Sequence, residues 1–112
     1  MVYKIKSRIW IETNNNVLLG EGRMRLLKAI EKTGSLSKAA KTLKMSYKKA
    51  WHLIDTVNKA AKKPVTISNI GGKGGGGAQL TPYGKSLVIA FESINKNCWK
   101  FLDEQVLKIN KL

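Results

Sequence analysis

Residues 34–52 read Gly34-Ser35-Leu36-Ser37-Lys38-Ala39-Ala40-Lys41-Thr42-Leu43-Lys44-Met45-Ser46-Tyr47-Lys48-Lys49-Ala50-Trp51-His52. Gly34 is a helix stop, and Ser35 or Ser37 can cap the helix that follows. That helix is short, with Ala39, Ala40 and Leu43 facing inward. Three residues, Lys44-Met45-Ser46, separate it from another helix, for which Ser46 is a good N-cap. The inward positions there are Ala50, Ile54, Val57 and Ala61, with Trp51 and Leu53 beside them, and Pro64 ends it. Two helices joined by so short a turn form a helix-turn-helix.

The flanks complete the pattern. Upstream, Leu26, Leu27 and Ile30 make the apolar stripe of a first helix, covered by Arg23, Arg25, Lys28, Glu31 and Lys32. Before it, Tyr3 to Glu12 alternates: Ile5, Ser7, Ile9 and Ile11 on one face, and Lys4, Lys6, Arg8, Trp10 and Glu12 on the other. This period of two predicts a half-buried strand. Thr13-Asn14-Asn15-Asn16 is a turn cluster, and Val17-Leu18-Leu19 returns as a second strand, giving a hairpin over 3–19. Downstream, Val65 to Ile70 and Ala78 to Leu80 read as strands around a glycine-rich loop expected to be mobile. Thr81-Pro82 then caps a long helix to about Ile109.

The predicted fold is mainly α with small β: a winged helix-turn-helix with an N-terminal β-hairpin, a Gly-rich wing and a long C-terminal dimerisation helix. It forms one domain over 1–112, with three helices in 22–63, the wing in 65–81 and the long helix in 82–109. On that helix Leu87, Phe91, Ile94, Cys98 and Phe101 recur at heptad-like spacing, with Leu102, Val106 and Ile109 adjoining. One of these stripes is expected to face a second subunit.

Composition narrows the function. The chain has 112 residues, 21 Lys+Arg and 7 Asp+Glu, a formal net charge of +14. Residues 38–63 alone carry eight lysines against one acid, Asp55. Such a charge asks for a polyanion, nucleic acid first and an anionic membrane surface second. One cysteine and one histidine exclude a disulfide framework and a Cys/His zinc finger. No apolar run is long enough to span a bilayer, and Met1 to Trp10 is no signal peptide. A cytoplasmic protein is therefore expected.

Gly34 to Ala40, Ser46-Tyr47-Lys48-Lys49-Ala50-Trp51, and Gly71-Gly72-Lys73-Gly74-Gly75-Gly76-Gly77-Ala78-Gln79-Leu80-Thr81-Pro82-Tyr83-Gly84 resemble the DNA-binding domain of ModE-type, molybdate-responsive transcription regulators. That domain is distantly similar to the LysR-type winged helix. The resemblance runs from about Ile9 to about Leu107, and the glycine-rich wing is its most specific element. It implies a homodimer that binds DNA and pairs through its last helix. Two departures are visible. The sequence to Leu112 lacks the C-terminal oxyanion-binding domains of the full-length regulators, so molybdate sensing is not carried over. Any effector is expected to act through a separate sensing protein or at an unrecognised site. The family also has Gly where Lys44 stands, so a slightly different turn is expected.

Other motifs fail on context. Gly72 to Gly77 satisfies G-x-G-x-x-G literally, but no helix opens at once and no parallel strand follows. Gly84-Lys85-Ser86 imitates the end of a P-loop, yet position 79 is Gln79 rather than glycine. His52 has no nucleophile arranged beside it. Cys98 reads as a small apolar interface residue, and Trp10, Trp51 and Trp99 as packing residues.

Double-stranded DNA is thus the expected partner, with no cofactor, metal or membrane. The DNA-contacting candidates are Ser35, Ser46, Tyr47, Lys48, Lys49, His52, Thr56 and Lys59, with Gly72, Lys73 and Gly74 in the wing. Ser46 to His52 should meet base edges and nearby phosphates, and the wing should approach the backbone or minor groove. The dimer candidates are Leu87, Phe91, Ile94, Cys98, Phe101 and Leu102. The rival reading is a nonspecific architectural or chromatin protein driven by charge alone. An RNA-binding protein lacks the exposed sheet aromatics it would need, and no catalytic constellation supports an enzyme.

Overall fold

The computed structural model describes residues 1–69 and 77–112. In chain order the elements are β1 (Ile11–Thr13), β2 (Asn16–Leu19), α1 (Glu21–Thr33), α2 (Leu36–Thr42), α3 (Tyr47–Ala60), β3 (Thr66–Asn69), β4 (Gly77–Leu80), α4 (Pro82–Gln105) and α5 (Leu107–Asn110). The fold is mainly α with two small antiparallel sheets, β1–β2 and β3–β4. The expected wing contacts Gly72, Lys73 and Gly74 lie outside the described residues.

The helices form because their apolar residues recur on one face. Leu26, Leu27 and Ile30 of α1, Ala39 and Ala40 of α2, and Ala50 and Val57 of α3 meet in one core with Leu19, Val65, Leu80, Val88 and Phe91. Gly34 ends α1 in the left-handed region at φ 70°, and its N–H donates to the Ile30 carbonyl at 2.8 Å. Its own carbonyl accepts from Ala78 N–H at 3.0 Å, tying β4 to the end of α1.

The turn between α2 and α3 corrects one expectation. It keeps the left-handed geometry despite the lysine, because Lys44 itself sits at φ 56°. The Lys44 N–H donates to the Lys41 carbonyl at 3.1 Å, and the Met45 N–H to the Ala40 carbonyl at 3.0 Å. These two bonds form a Schellman motif, which satisfies the last carbonyls of α2. The lysine accepts the steric cost of its Cβ there in exchange for two hydrogen bonds.

Three further expectations are corrected. Of the strand predicted over Tyr3 to Glu12, only Ile11–Thr13 pairs with β2. The alternation survives as burial: Ile5, Ser7 and Ile9 are half-buried, while Lys4, Lys6, Arg8 and Trp10 are exposed. β2 is only four residues long and gives way to α1 after Gly20, so it offers residues 3–10 no ladder. Instead this segment lies along the last helices. Tyr3 N–H donates to Asn110 Oδ1 at 2.9 Å, and Ser7 Oγ lies 3.5 Å from Cys98 Sγ. The helix predicted to run to Ile109 ends at Gln105, and α5 adds a separate turn. There the Ile109 N–H bonds back three residues to Val106, the tightening common at helix ends. Trp10 and Trp51, expected to pack, are 56% and 53% exposed. Trp10 falls on the outward face of its alternating segment and donates to Glu12 at 2.8 Å; Trp51 is one residue on from buried Ala50, and the 100° step carries it out of the core stripe.

Glycine at position 44 adopts φ 56° without a Cβ clash, although it gains entropy in the unfolded chain. Lys44→Gly is therefore expected to raise stability by about 0.5–1 kcal/mol. A denaturant midpoint that stays put or falls would show the turn to be unstrained.

Candidate nucleic-acid interface

The interface is built on two capped helices. The Ser35 hydroxyl accepts from Lys38 N–H at 3.2 Å, and the Ser46 hydroxyl from Lys49 N–H at 3.1 Å. Each cap satisfies an otherwise orphaned donor and fixes where its helix begins. In α3, Ala50 and Val57 face the core, so Lys48, His52 and Lys59 fall within roughly 40° of one another on the opposite side. Lys49 and Thr56 flank them.

Tyr47, Lys48, Lys49 and His52 are exposed. Among the described residues, no side-chain hydrogen bond or ion pair engages Lys48, Lys49 or His52. Lys59 is different: its Nζ lies 2.8 Å from Asp55 Oδ2. Thr56 is half-buried, and its hydroxyl donates to the Leu53 carbonyl at 2.7 Å. The first two turns of α3 thus carry free donors, and the later turns carry donors already engaged within the helix. A helix with an apolar back and a cationic front matches what a major groove about 12 Å wide admits.

Asn58 was not among the sequence candidates, yet it locks the wing to α3. Its Oδ1 accepts from Val65 N–H at 2.7 Å and Thr66 N–H at 3.1 Å. Its Nδ2 donates to Thr66 Oγ1 at 3.0 Å. The available signal was an asparagine inside a helix, where that side chain is disfavoured unless it bonds elsewhere.

The dimer candidates separate into two groups. Phe91 is only 5% exposed and belongs to the subunit's own core, so it leaves the predicted stripe, and Leu87 packs against the same core. Cys98 and Leu102 are half-buried. Ile94 and Phe101, seven residues apart, are 51% and 57% exposed. The heptad spacing was legible, but which of its members the domain itself covers depends on how α1 packs across α4.

Among the described residues no His/Cys/Asp/Glu cluster could hold a metal ion, and no helix is long and apolar enough to cross a membrane.

No family model matches the chain. It is 38% identical over 106 residues to the molybdenum transport protein ModE of Azotobacter vinelandii, covering 95% of this chain and 39% of that protein. It is 37% identical over 86 residues to the transcriptional regulator ModE of Haemophilus influenzae, covering 77% of this chain and 34% of that protein. It is 38% identical over 94 residues to the DNA-binding transcriptional dual regulator ModE of Escherichia coli K12, covering 80% and 36%. The chain is a homologue of the ModE regulators. It spans between a third and two fifths of the length of these curated relatives. The ModE relatives are named as regulators or transport proteins, not as enzymes.

Asn58→Ala leaves the wholly buried Val65 without a partner for its N–H. The expected loss is about 1–3 kcal/mol of stability, with faster amide exchange at Val65 and Thr66 than elsewhere in the core. Unchanged exchange at those two amides would show that Asn58 does not hold the wing.

Proposed function

We propose that this chain is a sequence-specific, double-stranded DNA-binding transcription regulator that acts as a homodimer. The observation that carries the reading is the free cationic front of α3, with Lys48, Lys49 and His52 on its first two turns. The names of the ModE relatives support it, as does the formal net charge of +14. In this reading residues 1–112 form one winged helix-turn-helix domain that works in the cytoplasm and is not an enzyme. Ser35, Ser46, Tyr47 and Lys59 contact the phosphates flanking the groove with Thr56 beside them, and Gly72, Lys73 and Gly74 bring the wing to the backbone or minor groove.

Competition in a gel shift between genomic fragments and random duplex tests the reading. A regulator retains particular fragments against excess random duplex, whereas a charge-driven architectural protein loses all of them equally. Lys49→Ala is expected to weaken specific binding more than random binding, by about 1–3 kcal/mol. Lys59→Ala should weaken both alike. Equal losses for Lys49→Ala would confine Lys49 to a phosphate contact.

The homodimer rests on the far half of α4. Twenty-four residues make a helix about 36 Å long, and the molecule extends 62 × 28 × 22 Å. Beyond Phe91 the helix is covered mainly by the unpaired segment 3–10, which leaves Ile94 and Phe101 open. A second subunit joining along Ile94, Cys98, Phe101 and Leu102, with the uncovered edge of Leu87, covers them. Ile94→Asp is expected to convert a sedimenting dimer into a folded monomer. Wild-type protein that sediments as a monomer at tens of micromolar, where a dimer with a Kd of about 1 μM (about −8 kcal/mol) would be mostly assembled, contradicts the dimer.

A further inference from the structure

Arg23, in the first turn of α1, is the least satisfied charged residue of the described chain. Its Nε is sealed from solvent and has no hydrogen-bond partner. Among the described residues no ion pair engages it either, because its neighbour Arg25 takes the Glu21 carboxylate at 2.6 Å and Arg8 takes the other Glu21 oxygen at 3.2 Å. A cation in the first turn of a helix also meets the positive end of the macrodipole. Arg23 therefore has no counter-anion, and the helix dipole adds to the cost of its charge.

It lines a cavity of about 310 Å³ between the β1–β2 turn, α1 and the later turns of α3, together with Asn14, Asn16, Thr56 and Lys59. Among the described residues, no carboxylate lines this cavity. Glu12, on the adjoining strand, accepts from Trp10 Nε1 at 2.8 Å, and Asp55 holds Lys59 from along the helix. The contrast with the cavity beside α4 is direct. That one is lined by Arg8, Arg25 and Lys28, but also by Glu21 and Glu92, which pair with all three.

The turn is shaped to offer donors. Asn14 and Asn15 both have positive φ, 50° and 64°, the geometry of a two-residue I′ hairpin turn. Asn16 Nδ2 reaches the Asn14 carbonyl at only 3.4 Å, so its amide is weakly engaged. Thr56 has committed its hydroxyl proton to Leu53, which leaves as donors the planar fork of Arg23, the asparagine carboxamides and the Lys59 ammonium protons not given to Asp55. We propose that this cavity is an oxyanion seat that binds a phosphate group through Arg23, Lys59 and the asparagine turn. Thr56 and Lys59 lie on the same helix as the proposed base-reading residues. A DNA phosphodiester at the edge of the groove and a free phosphate are the two sources of that chemistry. The phosphodiester source rests on the DNA-binding reading above, and the seat itself does not.

Two arms separate them. In the first, inorganic phosphate is titrated into DNA-free wild-type protein at constant ionic strength. A seat for free phosphate gives a saturable shift of the Arg23 Nε–H resonance in the wild type and a rise in melting temperature that is lost in Arg23→Gln. In the second, binding to random duplex is followed against salt. A phosphodiester seat lowers the log–log salt slope of Arg23→Gln by about one unit. If Arg23→Gln does not fold, Arg23→Lys takes its place in the first arm, where loss of the planar fork weakens phosphate binding, and Lys59→Gln takes its place in the second, where the lost charge lowers the slope. A response in the first arm alone assigns free phosphate, and a changed slope assigns the phosphodiester. Silence in both overturns the seat. Wild-type protein that binds no duplex sinks the DNA reading, while the first arm still judges the seat.

Discussion

The rest of the structure depends on how the backbone of Val65 is held. Val65 is wholly buried at the point where the wing leaves α3 and returns to α4. Its N–H goes to Asn58 of α3, and its carbonyl accepts from Thr81 N–H at 2.9 Å. Thr81 then caps α4, accepting from Gly84 N–H at 2.9 Å, while its own hydroxyl donates to the Pro64 carbonyl at 2.6 Å. Gly84 lies against the Val65 carbonyl so closely that a Cβ would collide with the oxygen. Three elements are therefore joined through one residue: the helix with the cationic front, the wing, and the helix with the open apolar stripe. A buried peptide group must find partners, and here they set the angle between the two surfaces that the proposed function needs.

The central part of the fold was legible because its signals are local. Gly34, Ser35, Ser46 and Thr81 act within a turn of where they stand, and each caps the helix it was expected to cap or stop. The core stripes of α1, α2 and α3 follow from period alone. The N-terminal segment was legible only by half. Alternation says which residues face inward, and Ile5, Ser7 and Ile9 do, but it does not say whether another strand lies alongside. The same limit explains Phe91, whose burial is decided by a helix more than fifty residues earlier in the chain.

The candidate site divides in the same way. Lys48, Lys49 and His52 could be read from a helical wheel once Ala50 and Val57 were assigned inward. Asn58 and Arg23 could not, because their roles depend on partners from the wing and the hairpin. Trp51 shows the reverse error: a large aromatic invites a core assignment, yet its place on the helix puts it on the outer face beside His52. Lys44 departs from the family's glycine without departing from the turn, since two backbone hydrogen bonds hold a lysine in a conformation it would otherwise avoid.

The central claim is that the front of α3 meets DNA, and amide chemical-shift mapping of the chain with added duplex addresses it residue by residue. The account predicts that the largest changes fall at the starts of α2 and α3, from Ser35 to Lys38 and from Ser46 to His52, with little change from Ile94 to Leu112. Changes concentrated on the far half of α4, with the start of α3 silent, would contradict it.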